Sequence, residues 1–203
     1  MNKENKKVLI LSFLFIAVAF ATKIPSIATL DQDVSLKFYN FLNSEIVTGF
    51  FNLITTYTIV ISVIAIGVYI YYKSKSIYKL ILFLALTVAQ SLIVNLLQII
   101  IQRPRPFTNN ESIVYLGNNL PLAFSFPSGH STFAFFLAFF IVKIFRPSRL
   151  WKFTIFLIAT LVVASRVYLG AHYILDVLGG IILGALLANF FTLLLSKLKL
   201  QLP

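Results

Sequence analysis

Cysteine is absent from this chain of 203 residues, which also contains only two histidines and six acidic residues. Without cysteine there is no disulfide framework, no thiolate nucleophile and no cysteine-ligated metal site. The few carboxylates and imidazoles are spread along the whole chain, which argues against a metal centre built from acidic side chains. We therefore expect a protein that uses neither a metal nor another cofactor.

Charge is also scarce, because charged residues make up 11% of the sequence and hydrophobic residues 59%. The mean hydropathy of +0.93 excludes an ordinary soluble domain and predicts an all-α membrane protein. A net charge of +11 does not indicate nucleic-acid binding here, because the basic residues separate apolar runs and form no basic face. They are better explained as topology signals and as ligands for an anion.

The apolar runs predict one domain over residues 1–203, a bundle of six transmembrane helices. The predicted spans are Val8–Thr22, Gly49–Tyr72, Ile77–Gln102, Pro127–Phe145, Phe153–Leu169 and Tyr173–Leu195. The first span could extend to Ala28 past a kink at Pro25. Its Ala19-Phe20-Ala21 motif also allows a cleaved signal peptide, but the apolar run resumes at Ile24, which favours a membrane helix.

The segment from Asp31 to Glu45, between the first two spans, mixes acids and amides with apolar residues. Its apolar members recur at the spacing of an amphipathic helix: Val34, Phe38, Phe41 and Leu42. We expect this helix to lie on the membrane surface.

The distribution of basic residues predicts the orientation of the six spans. Twelve of the 17 lysines and arginines fall on one side, which should be cytoplasmic and should carry both termini. Arg103, Arg105 and Arg166 fall on the other side, in the segments that carry the candidate chemistry. The site should therefore open on the outer face of a plasma membrane.

The third span carries polar residues at steps of four, three and four: Ser91, Asn95, Gln98 and Gln102. These steps form one helical stripe, which should face the bundle interior because exposure to lipid is unfavourable. Hydrogen bonding between helices and lining of a polar site both remain possible roles for the stripe.

One short stretch concentrates the reactive side chains: Arg166, His172 and Asp176 fall within the last predicted hairpin. On a helix His172 and Asp176 would share a face, so the carboxylate could accept a hydrogen bond from one imidazole nitrogen and leave the other nucleophilic. A buried ion pair at a helix end would explain the same residues. Charge inside a membrane segment is costly, which favours a functional site.

Pro127-Ser128-Gly129-His130 opens the fourth span, so its unpaired N–H groups and helix dipole form an anion seat. An ordinary capped helix start would explain Pro127 to Gly129 but not His130. Arginines, a serine and two histidines suit phosphoryl transfer without a metal, in which positioning and charge neutralisation supply the catalysis. In this assignment His172 attacks phosphorus, Asp176 orients it and His130 protonates the leaving oxygen.

Three motifs together closely resemble the signature of the type 2 phosphatidic acid phosphatase family of integral membrane lipid phosphatases. They are Arg105-Pro106, then Pro127 to His130, then Ser165-Arg166 followed by His172 and Asp176. The resemblance implies a six-helix core and metal-independent dephosphorylation of a lipid phosphate or diphosphate through a phosphohistidine. It assigns phosphate contacts to Arg105, Ser128, Gly129 and Arg166. Small bacterial members act on phosphatidylglycerol phosphate, which we favour as substrate, or on undecaprenyl diphosphate.

Gln98 departs from the family pattern, which has a lysine seven positions before Arg105. We expect its amide to contact the phosphate in place of the lysine. A catalytically weak or silent relative that binds or moves lipid phosphates is the alternative that this departure supports. A small transporter or channel would explain the polar stripe of the third span but not the Ser-Gly-His turn. The sequence does not fix the physiological lipid or the oligomeric state.

Overall fold

Apolar runs in a bilayer must satisfy their backbone hydrogen bonds internally, which favours helices over open strands. The computed structural model describes residues 3–41, 44–118, 120–121, 124–200 and 202, and all regular structure in these ranges is helical. The expectation of an all-helical protein is thereby confirmed for this part of the chain. The helices are α1 (Lys3–Ala21), α2 (Pro25–Phe41), α3 (Glu45–Ser74), α4 (Ile77–Ile101), α5 (Pro106–Asn109), α6 (Gly129–Phe145), α7 (Arg149–Tyr168) and α8 (Ile174–Lys197).

Four of the described helices, α3, α4, α7 and α8, are long and apolar enough to cross a bilayer. Helices α1 and α2 pass the same test only as a pair, and they meet at 89° across the break before Pro25. Helix α6 is apolar but has only 17 residues. The structure thus supports four or five spans, and the count of six stays a prediction.

Helices α6 and α8 form the most extensive helix pair, and two glycines explain their close approach. A Cβ atom at Gly180 would lie 2.8 Å from the carbonyl oxygen of Ser128, and one at Gly184 would lie 2.5 Å from that of Thr132. Both positions therefore need glycine for packing. This packing fixes the beginning of α6 beside the first turns of α8.

Helix α2 covers most of the segment predicted to be an amphipathic surface helix, although Leu42 lies outside the described residues. Val34 and Phe38 on its apolar face are exposed, and this face is available to lipid. Asp31 and Ser35, which lie next to Val34 on the helix surface, are buried against α8. The position of α2 at the membrane surface stays a prediction.

The polar stripe of α4 does not face the interior as a whole, which corrects the prediction. Gln98 is buried, whereas Ser91, Asn95 and Gln102 are exposed. The packed face instead follows Gln90 and Gln98 at multiples of four residues, and Ser91 and Asn95 lie at the edge of this face. Ser91 and Asn95 line a cleft rather than a helix contact.

Candidate active site

Three chain segments converge at one end of the bundle and bring the predicted site residues together. They are the turn after α4, the approach to α6, and the short connection between α7 and α8 that the sequence predicts as a tight hairpin. The turn after α4 continues into α5, a single helical turn between the third and fourth predicted spans. Pro106 begins α5 because proline suits the first helical position.

His172 is held as the Nδ1–H tautomer by the protein backbone. Its Nδ1 lies 2.8 Å from the carbonyl oxygen of Ser125, which can only accept a hydrogen bond. Its Nε2 lies 3.2 Å from Nη1 of Arg105, which can only donate. Both partners therefore assign the proton to Nδ1 and leave a lone pair on Nε2, the form that a nucleophilic imidazole requires.

Asp176 holds a different position from the one the spacing suggests, which corrects the expected imidazole–carboxylate hydrogen bond. His172 precedes α8, and the nearest oxygen of Asp176, Oδ2, lies 3.7 Å from its Nδ1, too far for a hydrogen bond. Oδ2 instead accepts a hydrogen bond of 2.8 Å from the N–H of Tyr173, and Oδ1 accepts one of 2.6 Å from Nη1 of Arg103. The carboxylate therefore caps α8 and supplies negative charge behind the imidazole.

Burial lowers the pKa of both His172 and Arg105, so both side chains bind a proton less tightly than in water. Burial, reinforced by the charges of Arg105 and Arg166, lowers the pKa of His172 to about 4, although Asp176 opposes the shift. Burial and the charge of Arg166 lower the pKa of Arg105 to about 10. At neutral pH the imidazole is therefore neutral and the guanidinium remains cationic.

Arg166 is almost completely buried, and it is oriented by a residue that the sequence analysis did not single out. Its Nη1 donates a hydrogen bond of 2.8 Å to Oγ1 of Thr55 on α3. Its Nε has no hydrogen-bond partner among the described residues. A buried donor without a partner is unfavourable, so this N–H is available to an oxygen of a bound anion.

The first turn of α6 contains the other predicted phosphate ligands. Ser128 is its N-cap residue, and the hydroxyl of Ser128 accepts hydrogen bonds from the N–H and the hydroxyl of Ser131. The N–H of Ser128 donates to the carbonyl oxygen of Asp176 at 3.0 Å, which connects α6 to α8. Gly129 and His130 begin the helix, where N–H groups have no partners within the helix. This end of α6 can bind an anion.

Gln98 is buried beside this turn, and its side chain contacts the backbone. Its Nε2 donates a hydrogen bond of 2.9 Å to the carbonyl oxygen of Pro127, the residue before Ser128. The amide therefore supports the backbone that leads into the first turn of α6. Its predicted contact with a phosphate stays a prediction.

Two cavities meet at His130, which is half-buried. One, of about 400 Å³, is also lined by Thr55, Tyr115 and Arg166. The other, of about 290 Å³, lies between α3, α4 and α6, and Gln90 and Asn95 are among its polar lining residues. The histidine thus lies between a cationic cavity and a cleft lined by amides, where a proton could reach a leaving group.

Several residues of the site were missed by sequence analysis. The carbonyl of Ser125 carries no side-chain signal, and only the fold brings it to His172. Thr55 is an ordinary threonine in an apolar helix. Asp31 could have been suspected, because an acid near an apolar segment usually has a partner. That partner is Arg103, at 2.7 Å.

Comparisons with known proteins show a matching family and several similar sequences. A family model described as "PAP2 superfamily" matches residues 78–199. The chain is 30% identical over 161 residues to the lipid A 4'-phosphatase of Porphyromonas gingivalis, an alignment that covers 74% of this chain and 67% of that protein. It is 41% identical over 83 residues to the putative undecaprenyl-diphosphatase YbjG of Escherichia coli, which covers 39% of this chain and 38% of that protein.

A solved structure extends the similarity to nearly the whole chain. It is the crystal structure of a transmembrane PAP2 type phosphatidylglycerolphosphate phosphatase from Bacillus subtilis. The match has a TM-score of 0.78 and 27% sequence identity, and it covers 95% of this chain and 98% of that one. The two chains therefore share their helical architecture.

Proposed function

Because the chain belongs to the PAP2 superfamily, we propose that it is a membrane lipid phosphatase that works through a phosphohistidine, without a metal. The observation that carries the proposal is the state of His172. Its Nδ1 proton is bound by Ser125, and its Nε2 lone pair points to Arg105, a ligand for phosphate. The proposed enzyme comprises residues 1–203 as one domain.

The first chemical step forms a bond between Nε2 of His172 and phosphorus. The bond between phosphorus and the oxygen of the lipid breaks, and the leaving oxygen takes a proton from His130. Arg105 now contacts Nε2 at 3.2 Å and would shift its donors to the phosphoryl oxygens when substrate binds. Asp176 lies behind the ring, where its charge stabilises the positive imidazole of the intermediate.

The second step returns the enzyme to its starting state. His130, now neutral, accepts a proton from water, whose oxygen attacks phosphorus and displaces Nε2 of His172. The products are inorganic phosphate and the dephosphorylated lipid. The phosphoryl group keeps the same ligands in both steps: the guanidinium groups of Arg105 and Arg166, the hydroxyl of Ser128 and the N–H of Gly129.

A lipid substrate fits the surroundings of His130. The cleft that contains Asn95 adjoins an exposed groove between α3 and α4, in which Val60, Val88 and Leu92 are among the lining residues. A phosphate in the site could thus remain attached to an acyl or prenyl chain in the groove. We favour phosphatidylglycerol phosphate as substrate, with undecaprenyl diphosphate a close second.

We place the site at the outer face of the plasma membrane, on six spans with both termini in the cytoplasm. The asymmetry of basic residues supports this orientation. The six-span count treats α6 as a short membrane helix and α1 as a span of its own. In this arrangement α2 lies at the outer headgroup level, with Phe38 toward lipid.

Purified protein tested on a panel of lipid phosphates tests the proposal directly. Phosphatidylglycerol phosphate and undecaprenyl diphosphate should release phosphate in the presence of EDTA, and His172→Ala should release none. A soluble phosphate ester hydrolysed far faster than any lipid would refute the lipid assignment. Binding of lipid phosphates without turnover would favour the silent relative that Gln98 suggests.

A further inference from the structure

A buried chain of three charges connects α2 to the catalytic hairpin. Nη2 of Arg103 lies 2.7 Å from Oδ2 of Asp31, and Nη1 of Arg103 lies 2.6 Å from Oδ1 of Asp176. All three side chains are at most 6% exposed. The guanidinium of Arg103 also stacks on the ring of Tyr173, 4.4 Å from its centre, which leaves it little freedom to move.

The same face of α2 binds the first N–H groups of α8. The second carboxylate oxygen of Asp31, Oδ1, accepts a hydrogen bond of 3.0 Å from the N–H of Leu175. The hydroxyl of Ser35 accepts one of 3.0 Å from the N–H of Ile174. The first N–H groups of a helix have no partners within it, so α2 satisfies two of them. Helix α2 therefore holds α8 at its first turn, which begins two residues after His172.

Stability alone gives a weak reason for such a chain. Burying three ions costs several kcal/mol for each, and well-packed apolar residues often stabilise a protein as well or better. Arg103 cannot serve as the missing phosphate cation either, because two carboxylates already neutralise it. What the three linked charges do provide is a fixed position for Asp176, whose Oδ2 lies 3.7 Å from Nδ1 of His172.

We propose that Asp31 and Arg103 are positioning residues for the catalytic histidine. Asp31 orients Arg103, Arg103 orients Asp176, and Ser35 fixes the beginning of α8. Together they hold Nε2 of His172 in line with phosphorus and keep negative charge behind the ring. This inference rests on the proposed function and adds a second layer, contributed by α2, to its active site.

The test compares Asp31→Asn with Asp33→Asn, a matched change at an exposed position of the same helix. Both variants are assayed in detergent or nanodiscs with phosphatidylglycerol phosphate, after folding is checked by thermal unfolding. Asp31→Asn keeps an oxygen for Leu175 but loses the charge. We expect its kcat to fall about 10- to 100-fold with KM nearly unchanged, because small displacements of reacting groups have effects of this size. Asp33→Asn should retain the wild-type kcat.

A double-mutant comparison separates positioning from simple destabilisation. If Asp31 acts through Asp176, adding Asp31→Asn to Asp176→Asn should change kcat far less than it does in the wild type. Asp31→Glu, which restores the charge, should recover part of kcat. Folded Asp31→Asn with the wild-type kcat, or with an equal loss in both backgrounds, would overturn the inference.

Two further outcomes are an Asp31→Asn variant that does not fold and a wild-type protein that releases no phosphate. If Asp31→Asn does not fold, Ser35→Ala replaces it, since that change removes one hydrogen bond and no charge. Folded Ser35→Ala with an unchanged kcat would then overturn the inference, and a reduced kcat at constant KM would support it. A wild-type protein that releases no phosphate from any lipid would instead refute the proposed function, so the two failures are distinguishable.

Discussion

His172 and Ser125 form the contact on which the account of the site depends: the imidazole Nδ1 lies 2.8 Å from the backbone carbonyl oxygen of Ser125. A carbonyl oxygen accepts but cannot donate, so it fixes one tautomer at any pH at which the ring is neutral. A side-chain carboxylate is therefore not required for this choice. Asp176 caps α8, and in the proposed mechanism it also stabilises positive charge on the ring.

The first prediction concerns the titration of His172, which is measurable because the chain has only two histidines. Its pKa of about 4 lies below the ordinary value of 6.5. Folding thus favours the neutral ring, and this contribution to stability is present above pH 6.5 and lost as the pH falls toward 4. In ¹⁵N-histidine NMR spectra of the ligand-free protein, His172 should stay neutral, as the Nδ1–H tautomer, from pH 7.5 to pH 5.

His130→Gln, which leaves a single histidine, assigns the signals in this titration. A midpoint near pH 6.5 for His172 would contradict the lowered pKa, and a neutral ring protonated at Nε2 would contradict the assigned hydrogen bonds. The second result would also leave the nucleophile without a lone pair at the position that faces Arg105.

The second prediction concerns the contact between α6 and α8. Gly180→Ala adds a Cβ 2.8 Å from the carbonyl oxygen of Ser128, so the two helices must separate beside the anion seat. We expect a loss of about 1–3 kcal/mol in unfolding free energy, together with reduced kcat. Thermal unfolding and phosphate release measure the two effects.

Gly49→Ala is the matched control for this substitution. Nothing lies within 4 Å of a Cβ at Gly49, and alanine favours the helix over glycine by up to about 1 kcal/mol. This variant should be as stable as the wild type or slightly more so. Equal behaviour of Gly180→Ala and Gly49→Ala would show that the α6–α8 contact tolerates an added methyl group.

The third prediction concerns Gln98, the position at which the family pattern has lysine. A cation about 4 Å from a phosphoryl charge is worth about 1–4 kcal/mol for dielectric constants between 80 and 20. Gln98→Lys should therefore raise kcat/KM, and more for a lipid diphosphate than for a lipid monophosphate. Gln102→Lys adds the same charge at an exposed position of the adjoining turn and should have a smaller effect.

Gln98→Ala completes this comparison. It removes the hydrogen bond to Pro127 and should lower stability even if the residue never touches substrate. If neither Gln98→Lys nor Gln98→Ala changes the kinetics of any substrate, the residue serves packing alone and its assignment as a phosphate ligand is wrong.

The fourth prediction concerns orientation, and the absence of cysteine makes it easy to test. Ser112 follows α5 and Ser148 precedes α7, and both side chains are exposed. In intact cells an impermeant thiol reagent should label Ser112→Cys and spare Ser148→Cys until the membrane is opened. Labelling of Ser148→Cys alone would reverse the topology and place the site in the cytoplasm.

Much of the fold was predictable because its signals are local. Apolar runs separated by basic residues indicated the main helices, for example α4, predicted as Ile77–Gln102 and observed as Ile77–Ile101. Gly180 and Gly184 are four residues apart, a spacing typical of close helix packing, but only the structure identifies α6 as the partner. The bend before Pro25 was expected from the restrictions that proline places on a helix.

The parts of the site that escaped prediction depend on contacts distant in sequence. Asp31 looked like a polar residue of a surface helix, and only packing of α2 on α8 pairs it with Arg103, 72 positions later. The four-residue spacing of His172 and Asp176 suggested a shared helix face. Asp176 instead caps the helix at its N3 position, which leaves the histidine before the first turn.

The proposed mechanism requires that Nε2 of His172 becomes phosphorylated during turnover. The most direct measurement uses lipid labelled with ³²P in its terminal phosphate, a rapid alkaline quench and mass mapping of the labelled peptide. We expect alkali-stable, acid-labile label on His172 of the wild type, and neither label nor phosphate release in folded His172→Ala. Phosphate release at the wild-type rate by folded His172→Ala, or label mapped to another residue, would contradict the account.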